Sequence, residues 1–333
     1  MSKSYEAKYY ITIENDRVQC KLCPHNCIIP PGETGTCNVR RNIDNKLISE
    51  IYGEVSSISM DPIEKKPLYH FYPGSQILSI GTRGCNMKCP YCQNWHISQD
   101  SNVHTSFHSY DKIVKLALNN KSVGIAYTYS EPIIWFEYIL DTAALGREKG
   151  LKNVLVTNGY INDEPLRELI QYVDAVNIDL KSYREQTYKK IQKGNLADVK
   201  NTIEVSHNMG ISIEITTLIV TGLNDDLDEM KDIINYISSV DRDIPWHISR
   251  YFPNYNYNKP ATDIKFIYKV YEEALKKLNF VYCGNIPSGD AGNNTICPSC
   301  SKKVISRSGY STTIDSLNNG KCGECGTDLK IIH

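Results

Sequence analysis

Residues 76–95 read QILSIGTRGCNMKCPYCQNW, an apolar run that leads directly into three cysteines. The first six residues predict a β-strand, because they are mostly apolar and end at a glycine. Cys85, Cys89 and Cys92 follow with the spacing C-x3-C-x2-C. Three thiolates so close together can bind three irons of a [4Fe–4S] cluster and leave the fourth iron open. The stretch therefore predicts a loop at the end of a strand that carries a metal cluster.

The iron without a protein ligand can bind a cofactor. It can be chelated by the amino and carboxylate groups of S-adenosylmethionine, and a reduced cluster can then cleave that cofactor to a 5′-deoxyadenosyl radical, which abstracts hydrogen from a substrate. The alternative is a structural zinc knuckle that borrows a fourth ligand such as His96. Zinc sites usually contain paired C-x2-C units, which this loop lacks. We therefore expect the three cysteines to be the catalytic, cluster-bearing residues of an enzyme.

Outward from this loop, residues 76–287 alternate β-rich runs with amphipathic helical patterns. Strands are predicted at 76–81, 123–129, 153–157, 174–179, 211–220 and 245–250, with a seventh considered at 279–283. Helices are predicted near 110–120, 133–149, 163–172, 184–192, 198–209, 226–239 and 263–278. The last helix has one apolar face, formed by Ile264, Ile267, Val270, Tyr271, Ala274, Leu275 and Leu278. This alternation predicts an α/β fold with a parallel sheet, and we expect a partial (β/α)6 TIM-type barrel with functional groups at the C-terminal strand ends.

A cysteine-rich N-terminal zone, residues 1–75, is predicted to be a metal-binding extension. It carries Cys20, Cys23, Cys27 and Cys37 with the spacing C-x2-C-x3-C-x9-C. Zinc is the first choice for these four thiols, and an auxiliary Fe–S cluster is the alternative, because C-x2-C-x3-C also suits clusters. His25 is a further candidate ligand.

Residues 288–333 are predicted to form a zinc-ribbon-like module. Cys297, Cys300, Cys322 and Cys325 form two C-x2-C pairs separated by 21 residues. Four thiolates close a tetrahedron around one ion, so this site is expected to be structural, and metal binding would supply stability that so small a module lacks. Nucleic-acid binding is the rival interpretation, and the mixed charges of the module disfavour it.

The composition of the chain indicates where the protein is located and which partners are disfavoured. The chain has 333 residues, 12 cysteines and a formal net charge of −1. No global field therefore draws it to nucleic acid or to a membrane surface. The first thirty residues lack the apolar core of a signal peptide, and no apolar run approaches the roughly 20 residues that span a bilayer. We expect a cytoplasmic protein, in which thiols stay reduced and the cysteines bind metals instead of forming disulfides.

The pattern GxxGCNxxCxxCQN at residues 81–94 resembles the radical S-adenosylmethionine (radical SAM) superfamily, nearest to the pyruvate formate-lyase activating enzymes. The whole chain is similar to the radical partner of the AmmeMemoRadiSam system. That group shares a CxLCPHxC segment, a DPIEKKPLYHF segment, a CQNW tail and a C-terminal cysteine ribbon. These stand here at Cys20–Cys27, Asp61–Phe71, Cys92–Trp95 and Cys297–Cys325.

The resemblance implies a cofactor pocket at successive strand ends. Residues 128–132, TYSEP, resemble the Gly-Gly-Glu-Pro turn that binds the methionine amino group, with Tyr129 and Ser130 in place of the glycines, followed by Glu131 and Pro132. A carboxylate such as Glu131 is the acceptor that a cationic amino group needs. An exposed glutamate in a strand-to-helix turn is the plainer interpretation.

The next strand end carries Thr157 and Asn158, which match the segment near the ribose in activating enzymes. Those enzymes often have an aspartate before the threonine, whereas this chain has Val156, which puts a coordinated cation there in doubt. An ordinary turn would explain the tripeptide Thr-Asn-Gly equally simply.

Four further residues are assigned to the cofactor by the same resemblance. Asp179 and Lys181 match an Asp-x-Lys segment, and Lys181 would bind the cofactor carboxylate, unless the two form only a strand-end salt bridge. Residues at i and i+2 of a strand point to the same side. His247 matches a histidine near the ribose, although a satisfied core histidine fits equally well, and Tyr91 stands where an aromatic ring packs on the adenine.

Two substrates and a non-catalytic role follow as hypotheses. By resemblance to the activases, the first substrate is a glycine of a glycyl-radical protein partner. The second is a small molecule or another macromolecule, in a pathway with Memo-like and AMMECR1-like partners. In either case a one-electron donor such as ferredoxin or flavodoxin is implied. The rival class is an Fe–S or zinc binding protein without catalysis.

Overall fold

The N-terminal part of the chain consists of short strands and turns. The computed structural model describes residues 5–100, 102–287 and 292–333. Its first eight strands are β1 Tyr5–Glu6, β2 Tyr10–Ile13, β3 Arg17–Cys20, β4 Ile28–Ile29, β5 Arg40–Ile43, β6 Lys46–Ser49, β7 Glu54–Val55 and β8 Ser57–Pro62. The order β1-β6-β5 forms one small sheet and β2-β3-β4 a second, and their apolar side chains join the main hydrophobic core.

The middle of the chain alternates strands and helices. These elements are β9 Gln76–Gly81, α1 Trp95–Ser98, β10 Ser106–Phe107, α2 Tyr110–Asn119, β11 Gly124–Tyr127, α3 Phe136–Glu148, β12 Lys152–Thr157, α4 Asp163–Ile170, β13 Ala175–Asp179, α5 Glu185–Thr187, α6 Leu196–Asn208, β14 Ser212–Ile219, α7 Leu227–Val240, β15 Trp246–Arg250, α8 Ile264–Ala274 and β16 Val281–Gly284. Two 3₁₀ turns, Ile63–Lys65 and Pro132–Trp135, and a π-helical turn, Tyr188–Gln192, complete them.

An eight-stranded sheet organises these elements in the order β8-β9-β11-β12-β13-β14-β15-β16. β8 is antiparallel to β9, and every other neighbouring pair is parallel. Parallel neighbours joined by crossovers place their carboxyl ends at one edge of the sheet. That edge is where the cysteine loop and the other predicted site segments lie.

The predicted strands of the middle region are all present, including the seventh, which is β16. The helix predicted at 184–192 divides into α5 and the π-helical turn. The apolar face predicted for 263–278 is wrong in one detail. α8 ends at Ala274, and Leu275 is 47% exposed because the chain leaves the helix there, whereas Leu278 is buried by the turn that follows.

The C-terminal part forms a small antiparallel sheet, β17 Thr295–Ile296, β18 Lys303–Ser308 and β19 Ser311–Ile314, with a short pair, β20 Leu317–Asn318 and β21 Lys321–Cys322. Its apolar residues pack around Tyr69, Phe280 and Tyr282 of the preceding chain. The division at 75 and 287 stays a prediction. β8, from the first zone, is part of the main sheet, and the boundary residue 288 lies outside the described residues.

Within the described ranges, no helix is both long enough and apolar enough to span a bilayer.

Candidate functional site

The loop after β9 carries Cys85, Cys89 and Cys92, of which Cys89 is buried and the other two are partly exposed. It begins at Gly84, whose φ of +92° and close approach to the carbonyl oxygen of Cys37 require a glycine. A Cβ on Gly84 would lie 2.8 Å from that oxygen. The turn therefore fixes where the first cysteine leaves the sheet.

The donor set of this loop fits an iron–sulfur cluster. Among the described residues, the three sulfurs do not form a group compact enough to hold one ion. Three thiolates suit a [4Fe–4S] cluster, because its four irons then include one without a protein ligand. Burial raises the pKa of Cys85 and raises that of Cys89 to about 11, so a metal is needed to hold them as thiolates.

Glu131, directly after β11, joins two strand ends to the cysteine loop. Its Oε1 accepts hydrogen bonds from Thr157 Oγ1 at 2.6 Å and Ile133 N at 3.0 Å, and its Oε2 accepts one from Asn158 N at 2.9 Å. The side-chain nitrogen of Asn158, Nδ2, in turn lies 3.7 Å from Cys85 Sγ. Burial raises the pKa of Glu131 to about 7 against these hydrogen bonds. The carboxylate is not exposed, and its assignment to the methionine amino group stays a prediction.

Tyr129 occupies the position of a family glycine and has the backbone of one, with φ +70°. Its side chain holds it there: Oη donates to Asp61 Oδ2 at 2.6 Å, and Lys66 Nζ lies 4.6 Å from the ring centroid. Asn94 Nδ2 donates to the Tyr129 carbonyl at 2.7 Å. The sequence reasoning missed this support, although Asp61 and Lys66 belong to the quoted DPIEKKP segment.

Two buried hydroxyls lie at this edge without a partner among the described residues, Ser130 Oγ and Thr216 Oγ1. Buried polar atoms are normally hydrogen-bonded, so both fit a pocket that takes a polar ligand. Pro132 begins the 3₁₀ turn that carries the chain from this edge into α3.

Asp179 and Lys181 lie at the end of β13 and form an ion pair of 2.7 Å. Lys181 is close enough to Cys89 for its charge to lower the pKa of that thiol against burial. Its backbone N–H donates to Tyr188 Oη at 3.0 Å. The salt bridge considered from the sequence is present, and the lysine also faces the cysteine loop.

Tyr91 is buried beneath the same loop, and its Oη accepts a hydrogen bond of 2.8 Å from Gln192 Nε2. The Gln192 carbonyl accepts another from Lys88 N at 2.9 Å. Gln192 therefore fixes the loop from both sides. Sequence reasoning did not single it out, because its position depends on the π-helical turn.

His247 in β15 is paired with the fully buried Glu214, with Nε2 and Oε2 2.6 Å apart. The other Glu214 oxygen accepts from His70 N at 2.7 Å. Tyr282 stacks on the imidazole and Tyr69 contacts it edge-on. The interpretation as a satisfied core histidine therefore agrees with the contacts of His247.

The same histidine also lines a cavity of about 310 Å³. Thr216 and Ser249 line it from β14 and β15, while Lys65 and Tyr310 line it from the flanking parts of the chain. The cavity thus has a mixed polar and apolar lining and is bordered by all three zones of the sequence.

The C-terminal cysteines form a different kind of site. Cys297, Cys300, Cys322 and Cys325 bring their sulfurs within 4.8 Å of one another, with Sγ–Sγ distances of 3.5 Å and 3.7 Å in two pairs. Four thiolates at this spacing fit a single metal ion in tetrahedral coordination. The identity of that metal stays a prediction.

Comparisons with known proteins agree with this architecture. A family model described as the Radical SAM superfamily matches residues 79–237. An uncharacterized protein of Methanocaldococcus jannaschii is 40% identical over 334 residues, which is 98% of this chain and 99% of the relative. A putative glycyl-radical enzyme activating enzyme of the same organism is 28% identical over 73% of this chain and 90% of its own. The pyruvate formate-lyase-activating enzyme of Clostridium pasteurianum is 22% identical over 47% and 68%.

Solved structures support the fold alone. Streptococcus suis SuiB bound to S-adenosylmethionine aligns with a TM-score of 0.51 and 13% identity, covering 67% of this chain and 53% of that chain. A radical SAM methyltransferase from Sphaerobacter thermophilus aligns with a TM-score of 0.50 and 11% identity, covering 68% and 71%.

Proposed function

This chain belongs to the radical SAM superfamily and is an enzyme of that type, and from this we propose that Cys85, Cys89 and Cys92 hold its catalytic [4Fe–4S] cluster. The observation that carries the proposal is the hydrogen-bond network from Glu131 through Asn158 to Cys85, which ties the strand ends to the cysteine loop. When bound, the reduced cluster supplies the electron that cleaves S-adenosylmethionine to a 5′-deoxyadenosyl radical.

The chain's own residues bind and orient the cofactor. Lys181 binds the cofactor carboxylate by charge, and Asp179 orients the lysine. The Asn158 amide donates to the cluster-bearing sulfur of Cys85. The unpartnered Ser130 hydroxyl is offered to the cofactor, and Tyr91 covers the buried side of the loop.

We assign the substrate to the cavity beside His247. Its lining by Thr216, Ser249 and Lys65 suits a polar group, and His247 is held in one orientation by Glu214. The relatives named as putative glycyl-radical enzyme activating enzymes support a glycyl-radical protein as substrate. A protein glycine would enter this cavity as an extended loop.

The second candidate is radical modification of a small molecule or another macromolecule, in an AmmeMemoRadiSam pathway with Memo-like and AMMECR1-like partners. The volume of the cavity, about 310 Å³, favours it, because such a space lies at the lower end of the range of pockets that bind small molecules. The relative that matches nearly the whole chain is uncharacterized, so it favours neither substrate.

The fold and the C-terminal metal support the catalytic site. We propose that the main sheet curves as a partial barrel, and that the C-terminal four cysteines bind zinc as a structural ribbon. The three-zone division at residues 75 and 287, a cytoplasmic location and a ferredoxin or flavodoxin donor belong to the same proposal.

Formation of 5′-deoxyadenosine tests the catalytic proposal. Protein purified without oxygen and reduced with dithionite should release 5′-deoxyadenosine from S-adenosylmethionine, and Cys89→Ala should release none because two thiolates do not retain the cluster. If the wild type releases no 5′-deoxyadenosine, the proposal fails. Deuterium transfer from labelled candidate substrates into 5′-deoxyadenosine then identifies the hydrogen donor.

A further inference from the structure

The four N-terminal cysteines line one cavity. Cys20, Cys23, Cys27 and Cys37 line a small cavity of about 20 Å³. Cys20 ends β3 and Cys27 immediately precedes β4, and a backbone hydrogen bond of 3.0 Å from Cys20 N to the Cys27 carbonyl closes the turn between them. The thiols thus converge although Cys37 is ten residues further along the chain.

The spread of these sulfurs distinguishes them from the C-terminal set. Within the described residues, the C-terminal four form the one compact group suited to a single ion, and the N-terminal four do not form such a group. The sulfurs of Cys85, Cys89 and Cys92 likewise do not form a compact group among the described residues. Around one zinc ion the sulfurs lie at about 2.3 Å from the metal and so close to one another, whereas cluster ligands bind different irons.

The cavity wall offers N–H donors to sulfur ligands. Arg40 is fully buried there, and its Nε has no hydrogen-bond partner among the described residues, while its Nη2 is paired with Glu137 at 2.7 Å. The backbone N–H of Thr36 donates to Cys27 Sγ at 3.5 Å. Glu137 neutralises the charge of Arg40, so the wall offers N–H donors without net positive charge, and hydrogen bonds to sulfur stabilise a cluster held by four thiolates.

This cavity lies directly against the predicted catalytic loop. The Cys37 carbonyl approaches Gly84 so closely that a Cβ on Gly84 would lie 2.8 Å from it. On the other side of Cys85, the Asn86 carbonyl is 2.7 Å from His25 Nε2. The Nε2 atom of His25, which the sequence suggested as a metal ligand, therefore contacts the backbone of the cysteine loop. Both residues that flank Cys85 therefore contact the N-terminal cysteine segment.

We propose that Cys20, Cys23, Cys27 and Cys37 bind a second [4Fe–4S] cluster, which exchanges electrons with the cluster on Cys85, Cys89 and Cys92. All four irons of this cluster have protein ligands, so it carries electrons and does not bind S-adenosylmethionine. The exchange moves one electron between the clusters without making or breaking a bond. A low-potential one-electron carrier protein supplies that electron. Of the two metals considered from the sequence, the geometry favours iron–sulfur over zinc.

Metal content of two complementary variants tests this assignment. Full-length protein isolated without oxygen should contain about eight irons and one zinc per chain, since each cluster holds four irons. A Cys85→Ala, Cys89→Ala, Cys92→Ala triple variant should keep about four irons, with an EPR signal after dithionite reduction that S-adenosylmethionine leaves unchanged. A Cys20→Ala, Cys23→Ala double variant should keep about four irons whose signal the cofactor does change. Cys283→Ala should keep the full content.

The two proposals fail separately. A triple variant without iron, or a double variant that keeps all its iron and loses zinc, overturns the second cluster. If the double variant does not fold, the triple variant alone still decides. A triple variant that keeps its four irons beside a double variant that has none would support the second cluster and overturn the catalytic one.

Discussion

Tyr129 Oη donates a 2.6 Å hydrogen bond to Asp61 Oδ2, although Tyr129 itself stands in the left-handed backbone region at φ +70°. A bulky residue there is strained, and such strain persists only where the surroundings fix it. Burial alone would raise the pKa of Asp61, but hydrogen bonds from Lys65, Lys66 and Tyr129 outweigh it and lower that pKa. The anionic Asp61 thus anchors the turn that precedes Glu131.

Tyr129→Phe should therefore weaken cofactor binding without unfolding the protein. The loss of one hydrogen bond to a charged group, about 1.5 kcal/mol, corresponds to roughly tenfold weaker binding if the turn must be held in place. Equilibrium dialysis under anaerobic conditions measures the affinity of the protein for S-adenosylmethionine. Tyr10→Phe is the matched control, because Tyr10 Oη donates to Glu6 on the exposed surface. Equal affinity in both variants would mean that the Asp61 contact does not serve the site.

Lys181→Met tests whether this partly buried lysine binds the cofactor or only Asp179. If it binds the cofactor carboxylate, affinity should fall about tenfold or more, since a charge-assisted hydrogen bond is lost. Lys152→Met is the control, because Lys152 also faces an aspartate, Asp174, at 3.6 Å, but at the opposite end of the sheet. If the Lys181→Met protein is less stable but binds S-adenosylmethionine normally, Asp179 and Lys181 form only a strand-end salt bridge.

The C-terminal metal should stabilise a contact with the first zone. Arg307 from β18 donates to the Tyr69 carbonyl at 2.8 Å, and Thr312 donates to Glu64 at 2.7 Å. Cys300→Ser should release the metal and speed amide hydrogen exchange in residues 295–331 and also in residues 64–72, because the two segments pack together. Ser301→Ala, beside the knuckle, is the control. Faster exchange confined to residues 295–331 would show that the module is energetically separate.

Strands and helices could be predicted closely because their patterns are local. The parallel strands were recognisable from apolar runs between amphipathic segments, and the C-terminal cysteine spacing predicted the group whose four sulfurs converge in the structure. Gln192 and the Tyr129–Asp61 contact could not be predicted, because they depend on how distant segments meet. Glu214 was an available signal: a carboxylate within the apolar strand ISIEITTLIV needs a buried partner, which proves to be His247.

The buried His70 should make stability depend on pH. Burial lowers its pKa to about 4, with contributions from Arg307 and His247 and against the attraction of Glu214. In its neutral form one ring nitrogen donates to the Leu329 carbonyl at 3.0 Å and the other accepts from a tyrosine hydroxyl. A histidine whose folded pKa lies below its unfolded value of 6.5 contributes stability that is fully present above pH 6.5 and is lost as the pH falls towards 4.

His70→Gln should flatten that dependence. Between pH 7.5 and 5.5 the wild type should lose about 1 kcal/mol more of its free energy of unfolding than the variant does, from the linkage of protonation to folding. Urea unfolding at the two pH values, without oxygen, measures the difference. His104→Gln removes an exposed histidine and should keep the wild-type slope. Parallel pH dependence in wild type and His70→Gln would show that His70 is protonated at no cost to the fold, and that its contacts with Leu329 tolerate the charge.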